Sequence, residues 1–455
     1  FAPDFVWTKA RNTTQSHQLF DSVRGDNNIL YTNLTNAESA QSAGYFTLEN
    51  DGFSYGTSTF SANTYVAWAW EAGGTPTATN SAGAGATPTA GSVKIDGSNL
   101  GSALAGTIPA TKISANTARG FSIVGYEATG TAGTIAHGLS AAPEFIIVKH
   151  RDQSGTSWPV YYGDNTDALY LSSNGATSDD ANAWNDTSPT STVFSVGANG
   201  GDTNNSSGGS TIAYCFHSVS GYSKFGTFTG NGGSQEITVG FEPALVVIKR
   251  RDATSNWHVF DNTRNAANPR SNALNWDRDA VEATNAGMTF SSTGFNDNGW
   301  ISGSGQEIIY MAWADTREAA FFKDASTNGN HFTPVNLDYR NSVPDVPTNS
   351  FATANPLHKR LDGTVTISEG NLQISAGSGY GGDNRFAGTT GVSSGKWYFE
   401  MLRTDATGLG NQTATGVFDA DTALSSGNYS GNPTNSGAAT NEWALTDRGV
   451  AVNGS

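Results

Sequence analysis

The sequence predicts an all-β protein, built as tandem β-sandwich (jelly-roll-like) repeat domains followed by a further β-rich segment, and three observations carry the all-β reading. Apolar runs are short, rich in Val, Ile, Phe, Tyr and Trp, and bounded by Gly, Asn, Asp and Pro. Only 14% of residues are charged while Gly reaches 54, the composition of a turn-rich chain. One string, P-x-(F/L)-(V/I)-x-x-K-x-R, occurs at residues 3–11, 143–151 and 243–251. A chain of 455 residues exceeds one ordinary core, so about two to four domains are expected.

The repeated string is followed each time by the same landmarks. A second apolar patch comes next, as SHQLFDSVRG, SWPVYYGD and NWHVFDNTRN. Then comes a Phe with a small polar neighbour, at Phe53, Phe194 and Phe295, and finally an aromatic strand, TYVAWAW, TIAYCF or IIYMAW. Phe5, Phe145 and Leu245 should be equivalent core positions, as should Trp68, Tyr214 and Met311. Ahead of the second and third strings lie parallel segments from Phe121 and Tyr222, which read as hairpins with Gly/Asn-rich tips. The first unit lacks this opening. With no initiator Met at Phe1, that implies a piece of a longer chain.

The expected organisation is unit 1 at residues 1–73, a Gly/Ala/Thr/Pro-rich linker or extended segment at 74–119, unit 2 at 120–220 and unit 3 at 221–322. A connector and a further, truncated domain, whose resemblance is given below, occupy 323–455. No amphipathic helix of ten residues is evident; DTREAAFFKD from Asp315 reads as one or two turns.

The net charge of −16 disfavours nucleic-acid partners, and no basic stripe suits an anionic membrane. No run reaches the roughly 18 apolar residues of a membrane helix, so membrane insertion is not expected. The single Cys215 excludes an intrachain disulfide and reads as a small buried residue. No motif calls for a cofactor or metal: H-E-x-x-H, C-x-x-C, P-loop and nucleophile-elbow patterns are absent. No enzyme is expected.

Three groups of residues warrant a chemical reading. Lys9/Arg11, Lys149/Arg151 and Lys249/Arg251 share a strand face at spacing two; they read either as a small anion site or as strand-end cations pairing with acids such as Asp21 or Asp261, the second being favoured. Glycoside hydrolysis needs two carboxylates about 5–9.5 Å apart; the visible pairs, Asp277/Asp279 and Asp419/Asp421, sit in loop-like contexts. Trp184, Trp276 and Trp300 lie among Asn, Asp and Gly, and are the candidate sugar-stacking rings. Their alternative is to fold back over the sandwich ends, with Trp184 and Trp276 as repeat counterparts.

The strings FAPDFVWTKAR, HQLFDSVRG and TYVAWAW, and the unit running HGL, PEFIIVKHR, ALYL, AYCF, GYSKFGTFTGNG, resemble tandem domains of tail-fibre and related virion proteins of marine bacteriophages. GNHFTPVNLDYRNSVPDVPTNSFATANPL, SEGNLQI and GVSSGKWYFEM resemble the segment leading into a SPRY-like β-sandwich of the same class. The resemblance implies a virion structural protein in a tail or capsid appendage, a tail-fibre or receptor-binding component mediating host attachment. Its implied partners are copies of itself, as a homotrimer, other virion proteins, and a host-surface glycan or receptor. A capsid-decorating protein and a polysaccharide depolymerase are the alternatives.

Overall fold

The computed structural model describes residues 1–56, 63–198, 202–204, 208–265 and 267–315, and beyond them 353–360 and short strands up to residue 452. The chain is all-β, with 41% strand against 1% helix, and divides into two compact units, Phe1–Thr316 and Arg317–Ser455.

In the first repeat β1 (Phe5–Ala10) lies between β2 (Gln18–Asp21) and β7 (Tyr65–Trp70). The short pairs β3 (Asn28–Ile29) with β4 (Ser39–Ala40) and β5 (Phe46–Leu48) with β6 (Phe53–Tyr55) complete it. Next come β8 (Val93–Ile95), β9 (Ser98–Asn99) and β10 (Ala110–Asn116).

The second repeat comprises β11 (Phe121–Glu127), β12 (Gly133–Ala136), β13 (Phe145–His150), β14 (Pro159–Tyr161), β15 (Asp167–Tyr170), β16 (Ser178–Asp179), the single helical turn α1 (Ala181–Trp184), β17 (Val193–Val196) and β18 (Ser210–Phe216). The third comprises β19 (Ser223–Thr229), β20 (Glu236–Thr238), β21 (Pro243–Arg250), β22 (His258–Asp261), β23 (Arg270–Asn275), β24 (Ala283–Phe290), β25 (Gly294–Asn296) and β26 (Glu307–Ala314). Its eight strands run β19-β26-β21-β22-β23-β24-β25-β20. Because the two end strands are consecutive in sequence, this sheet curls into a nearly closed barrel.

The repeated string forms β1, β13 and β21, and each lies between the aromatic closing strand and the second apolar patch. Register makes the equivalence residue by residue. Phe5, Phe145 and Leu245 face Trp70, Phe216 and Trp313, while Trp7, Ile147 and Val247 face Trp68, Tyr214 and Met311. All twelve are buried, as the sequence predicts.

Each central strand is apolar on both faces because each face meets a different core. One face packs against the repeat's own outer strands: Val6 with Phe20 and Phe46, Ile146 and Val148 with Phe194, and Val246 and Ile248 with Phe295. The other faces of all three repeats share one cluster that includes Phe5, Trp7, Phe145, Ile147, Leu245 and Val247. Burying each such side chain contributes about 1.5–3 kcal/mol, so none of the three sheets leaves its inner face to water.

Three sequence expectations change. Residues 74–119 are more than a linker: β10 pairs with β11 and with β8, extending the second repeat's sheet to nine strands. Gly73 marks the entry, where a Cβ would collide with the backbone of Lys94 and Ala115. The composition hid these strands because β10, ATKISAN, buries only small or isolated apolar residues, Ala110, Ile113 and Ala115.

The expected hairpins do not pair internally. β11 pairs with β10 and β18 while β12 pairs with β17, and likewise β19 pairs with β26 and β20 with β25. The connecting residues, 128–132 and 230–235, are long enough to cross the roughly 10 Å between packed sheets. Finally, the repeats form one compact unit ending at Thr316.

In the C-terminal unit the described strands pair antiparallel: β27 (Ala354–Arg360) with β30 (Arg385–Gly388), β28 (Val365–Ser368) with β29 (Gln373–Ala376), and β31 (Ala414–Val417), β32 (Trp443–Thr446) and β33 (Gly449–Val452) as a three-stranded sheet. Most of the expected SPRY-like sequence, including Asp419/Asp421 and the turns expected after Asp315, lies outside the described residues.

Candidate functional site

The repeated Lys and Arg sit where β1, β13 and β21 end, and each repeat there meets another. The Arg11 guanidinium donates to both Glu282 carboxylate oxygens, Nη2 at 2.8 Å and Nε at 3.1 Å. Arg151 does the same to Glu38, at 2.6 and 2.9 Å. Arg251 donates to the Tyr162 hydroxyl at 3.2 Å and lies 3.7–3.8 Å from Asp164 and Asp167.

Backbone bonds follow the same order: Glu282 N to Arg11 O at 2.8 Å, Glu38 N to Arg151 O at 2.7 Å, and Thr177 N to Arg251 O at 2.8 Å. Repeat 1 thus reaches repeat 3, repeat 3 reaches repeat 2, and repeat 2 reaches repeat 1. Three seams close a ring around the shared core.

The next position inward repeats the pattern. His17, Trp158 and Trp257 immediately precede the equivalent strands β2, β14 and β22, and each ring nitrogen meets a carbonyl across its seam: Asn275 at 2.9 Å, Leu34 at 3.0 Å and Tyr170 at 3.2 Å. His17 Nδ1 also accepts from Trp7 Nε1 at 2.9 Å. Burial, aided by nearby Lys9, pushes the His17 imidazole down to about 3, so it is neutral at ordinary pH.

The Phe-Asp step with its following Arg builds the support behind two seams. Arg24 Nε donates to Asp21 at 2.5 Å, Nη1 to Glu38 at 2.9 Å and Nη2 to the Leu19 carbonyl at 2.9 Å. Arg264 makes the matching bonds to Asp261 at 2.6 Å, Glu282 at 2.9 Å and the Val259 carbonyl at 2.8 Å. Both aspartates take one further donor across a seam: Tyr214 Oη to Asp21 at 2.7 Å and Trp68 Nε1 to Asp261 at 3.2 Å. In repeat 2 a Tyr162 replaces the Asp, and Met311, equivalent to Tyr214 and Trp68, brings no donor to it.

The sequence reading of these cations as structural agrees with this geometry, but their partners differ from those expected. Arg11 pairs with Glu282 and Arg151 with Glu38, rather than with Asp21 or Asp261. Those acids lie on loops of unequal length after the Arg, so no spacing advertises them. Lys9, Lys149 and Lys249 are buried and aim at carbonyls: Ala10; Thr156 and Thr35; and Asn174, Gly175 and Arg250. Burial lowers each ammonium to about 8.

Comparison with protein-family models returns two matches to Domain of unknown function (DUF7483), over residues 1–97 and 93–317. The chain belongs to the DUF7483 family. The second DUF7483 match ends beside the boundary at Thr316, so the family region coincides with the ring of three repeats. No curated protein and no solved structure matches the chain.

Two of the sugar-stacking candidates are not available to a ligand on this DUF7483 body. Trp184 and Trp276 are each 1% exposed. Trp184 packs edge-on to Tyr161 at 5.6 Å in the outer core of repeat 2. Trp276 stacks on Trp7 at 4.1 Å in the shared core. They belong to different cores and are not counterparts; register places Trp276 level with Leu171, since the Trp276 and Leu171 amides bond to the equivalent Trp257 and Trp158 carbonyls. Trp300 alone is half-buried, lying edge-on over His258 at 4.7 Å. The loop context misled because the apolar core extends under these loops.

Asp277 is buried and accepts from the Trp257 amide at 2.9 Å, a structural role. Cys215 is fully buried, and burial pushes its thiol above the ordinary range. Among the described residues no group of three or more His, Cys, Asp or Glu is arranged to hold a metal ion.

Proposed function

We propose that this DUF7483 chain is a structural component of a bacteriophage virion, serving in the tail-fibre or receptor-binding apparatus that attaches the particle to its host. The observation that carries the reading is the ring itself. Three sandwiches share one apolar core, and their repeated cations sit in the seams between them. Such a body suits projecting and holding load: its charged groups meet one another across seams instead of lining a cleft. The likeness of its strings to virion proteins of marine phages points the same way. Under this reading the protein assembles with copies of itself, as a homotrimer, and with other virion proteins, and the host ligand is a surface glycan or receptor.

Electron microscopy of virions decorated with gold-labelled antibody against residues 1–316 tests the proposal, together with adsorption in the presence of excess purified protein. Label at the tail and competitive loss of adsorption are expected. Label over the capsid would assign a decorating role, and release of reducing ends from host polysaccharide by the purified protein would replace the structural reading with a depolymerase.

A further inference from the structure

A cavity of about 290 Å³ opens beside the start of β19 in repeat 3. The chain entering β19 lines it with Ser218, Ser220, Ser223 and Lys224, and the chain leaving β20 lines it with Val239 and Gly240. A tight turn shapes the first wall. The Val219 carbonyl accepts the Tyr222 and Ser223 amides, both at 2.9 Å, and Gly221, also in the lining, has φ at 73°, the positive value this turn position demands. Ser218 Oγ accepts from the Phe225 amide at 3.1 Å, which leaves its proton free to donate, and Ser223 Oγ accepts from the Val219 amide at 3.2 Å. Lys224 is half-buried, with no ion-pair or hydrogen-bond partner for its ammonium among the described residues. No acid lines the cavity, in a chain with 40 Asp and Glu against 24 Lys and Arg. Glu144, which accepts the Ser218 amide at 2.5 Å, is outside the lining.

Repeat 2 fills the same place. Ser122 is the counterpart of Lys224: they lie opposite Cys215 and Ala312, which in turn lie opposite Ile146 and Val246. Gly138 is the counterpart of Gly240, each three residues past an isoleucine, Ile135 or Ile237, that pairs with Phe194 or Phe295. A Cβ at Gly138 would meet Ala115 and Ile113 of β10 at 3.0 and 3.1 Å, whereas one at Gly240 would meet nothing within 4 Å. Ser122 is fully buried. Where β10 packs apolar side chains against repeat 2, repeat 3 keeps an opening and puts a cation in it.

We infer that this cavity binds one acidic sugar residue, with Lys224 pairing its carboxylate, Ser218 and Ser220 hydrogen-bonding its hydroxyls and Val239 meeting the apolar side of its ring. A single free ammonium suits a single negative charge. The clustered hydroxyls suit a polyol, and the volume, at the low end of the roughly 300–1,000 Å³ of small-molecule sites, suits one ring. These requirements come from the cavity; that the sugar belongs to a host-surface glycan rests on the attachment function proposed above.

Titration of the full chain with D-glucuronate, followed by saturation-transfer NMR, tests the inference, with D-glucose and inorganic phosphate as comparison probes. Saturable glucuronate binding is expected, at least about 10-fold tighter than glucose. Lys224→Gln keeps the aliphatic stem and should weaken glucuronate at least about 10-fold, to the level of glucose, at an unchanged melting temperature. Ser220→Ala should weaken both sugars by one common factor, about 2- to 10-fold. No saturable glucuronate binding, binding that Lys224→Gln leaves unchanged, or phosphate binding as tightly as glucuronate overturns the inference. Each of these leaves the virion reading standing, because the antibody label and adsorption assays do not depend on the cavity; glucuronate bound by a protein that no virion carries would sink that reading alone.

Discussion

Replacing Glu282 with Gln tests whether the seams hold the ring together. Glu282 accepts three charge-assisted hydrogen bonds, two from Arg11 at 2.8 and 3.1 Å and one from Arg264 at 2.9 Å. Gln keeps one acceptor oxygen and turns an amide donor toward a guanidinium. At about 1.5–3 kcal/mol per charge-assisted bond, losing two amounts to about 3–6 kcal/mol. The Arg11 side chain is 30% exposed and regains water, which reduces the expected loss to about 2–4 kcal/mol.

Glu38→Gln should cost about the same, because Arg151 and Arg24 surround Glu38 in the same way. Asp167→Asn in the third seam should cost under about 1 kcal/mol, since Arg251 stands 3.8 Å away and both groups are partly exposed. Urea unfolding of the three variants beside the parent, compared by midpoint at constant m, gives the ranking. Acid supplies a second check. Burial opposes ionisation of Glu282, but the bonds from Arg11 and Arg264 outweigh it and hold the carboxyl below its usual 4.5. Its contribution is present above that value and lost as pH falls through the depressed one, so parent and Glu282→Gln should converge in acid. Losses below about 0.5 kcal/mol for both glutamates, or a cost for Asp167→Asn equal to theirs, would refute the seam argument.

Further outcomes follow from the same geometry. Trp276→Ala should destabilise by about 3–5 kcal/mol, because it empties a stacked position in the shared core, and calorimetry reads this directly. Trp300→Ala should cost less, its ring being half-buried, and is the one of the three whose loss can alter glycan retention at unchanged melting temperature. Burial lowers His17 to about 3 and His137 and His258 to about 4. Their contribution is complete above the ordinary 6.5 and drains away on acidification through the folded values, so the melting temperature should fall progressively below pH 6.5. Lys9, Lys149 and Lys249, lowered from 10.5 to about 8, oppose folding most below pH 8, so stability should rise between pH 8 and 10. Cys215 should resist thiol reagents in the native protein and react only after unfolding, as followed by mass spectrometry.

The sequence by itself determined the all-β class, the three repeats and the core status of their landmark strands. Those features are written locally, in runs of β-branched and aromatic residues and in a string whose Lys and Arg keep a fixed spacing. Cys215 as a buried residue was legible for the same reason, since it sits inside TIAYCF.

What only the tertiary structure decided is where the repeats meet. An alternating pattern shows that a strand has an apolar face, but it does not say which of two cores that face enters. Hence Trp184 and Trp276, alike in sequence context, lie in different cores. Seam partners such as Glu38 and Glu282 come from loops of unequal length, so their approach to Arg151 and Arg11 follows from the closing of the ring and leaves no periodic trace.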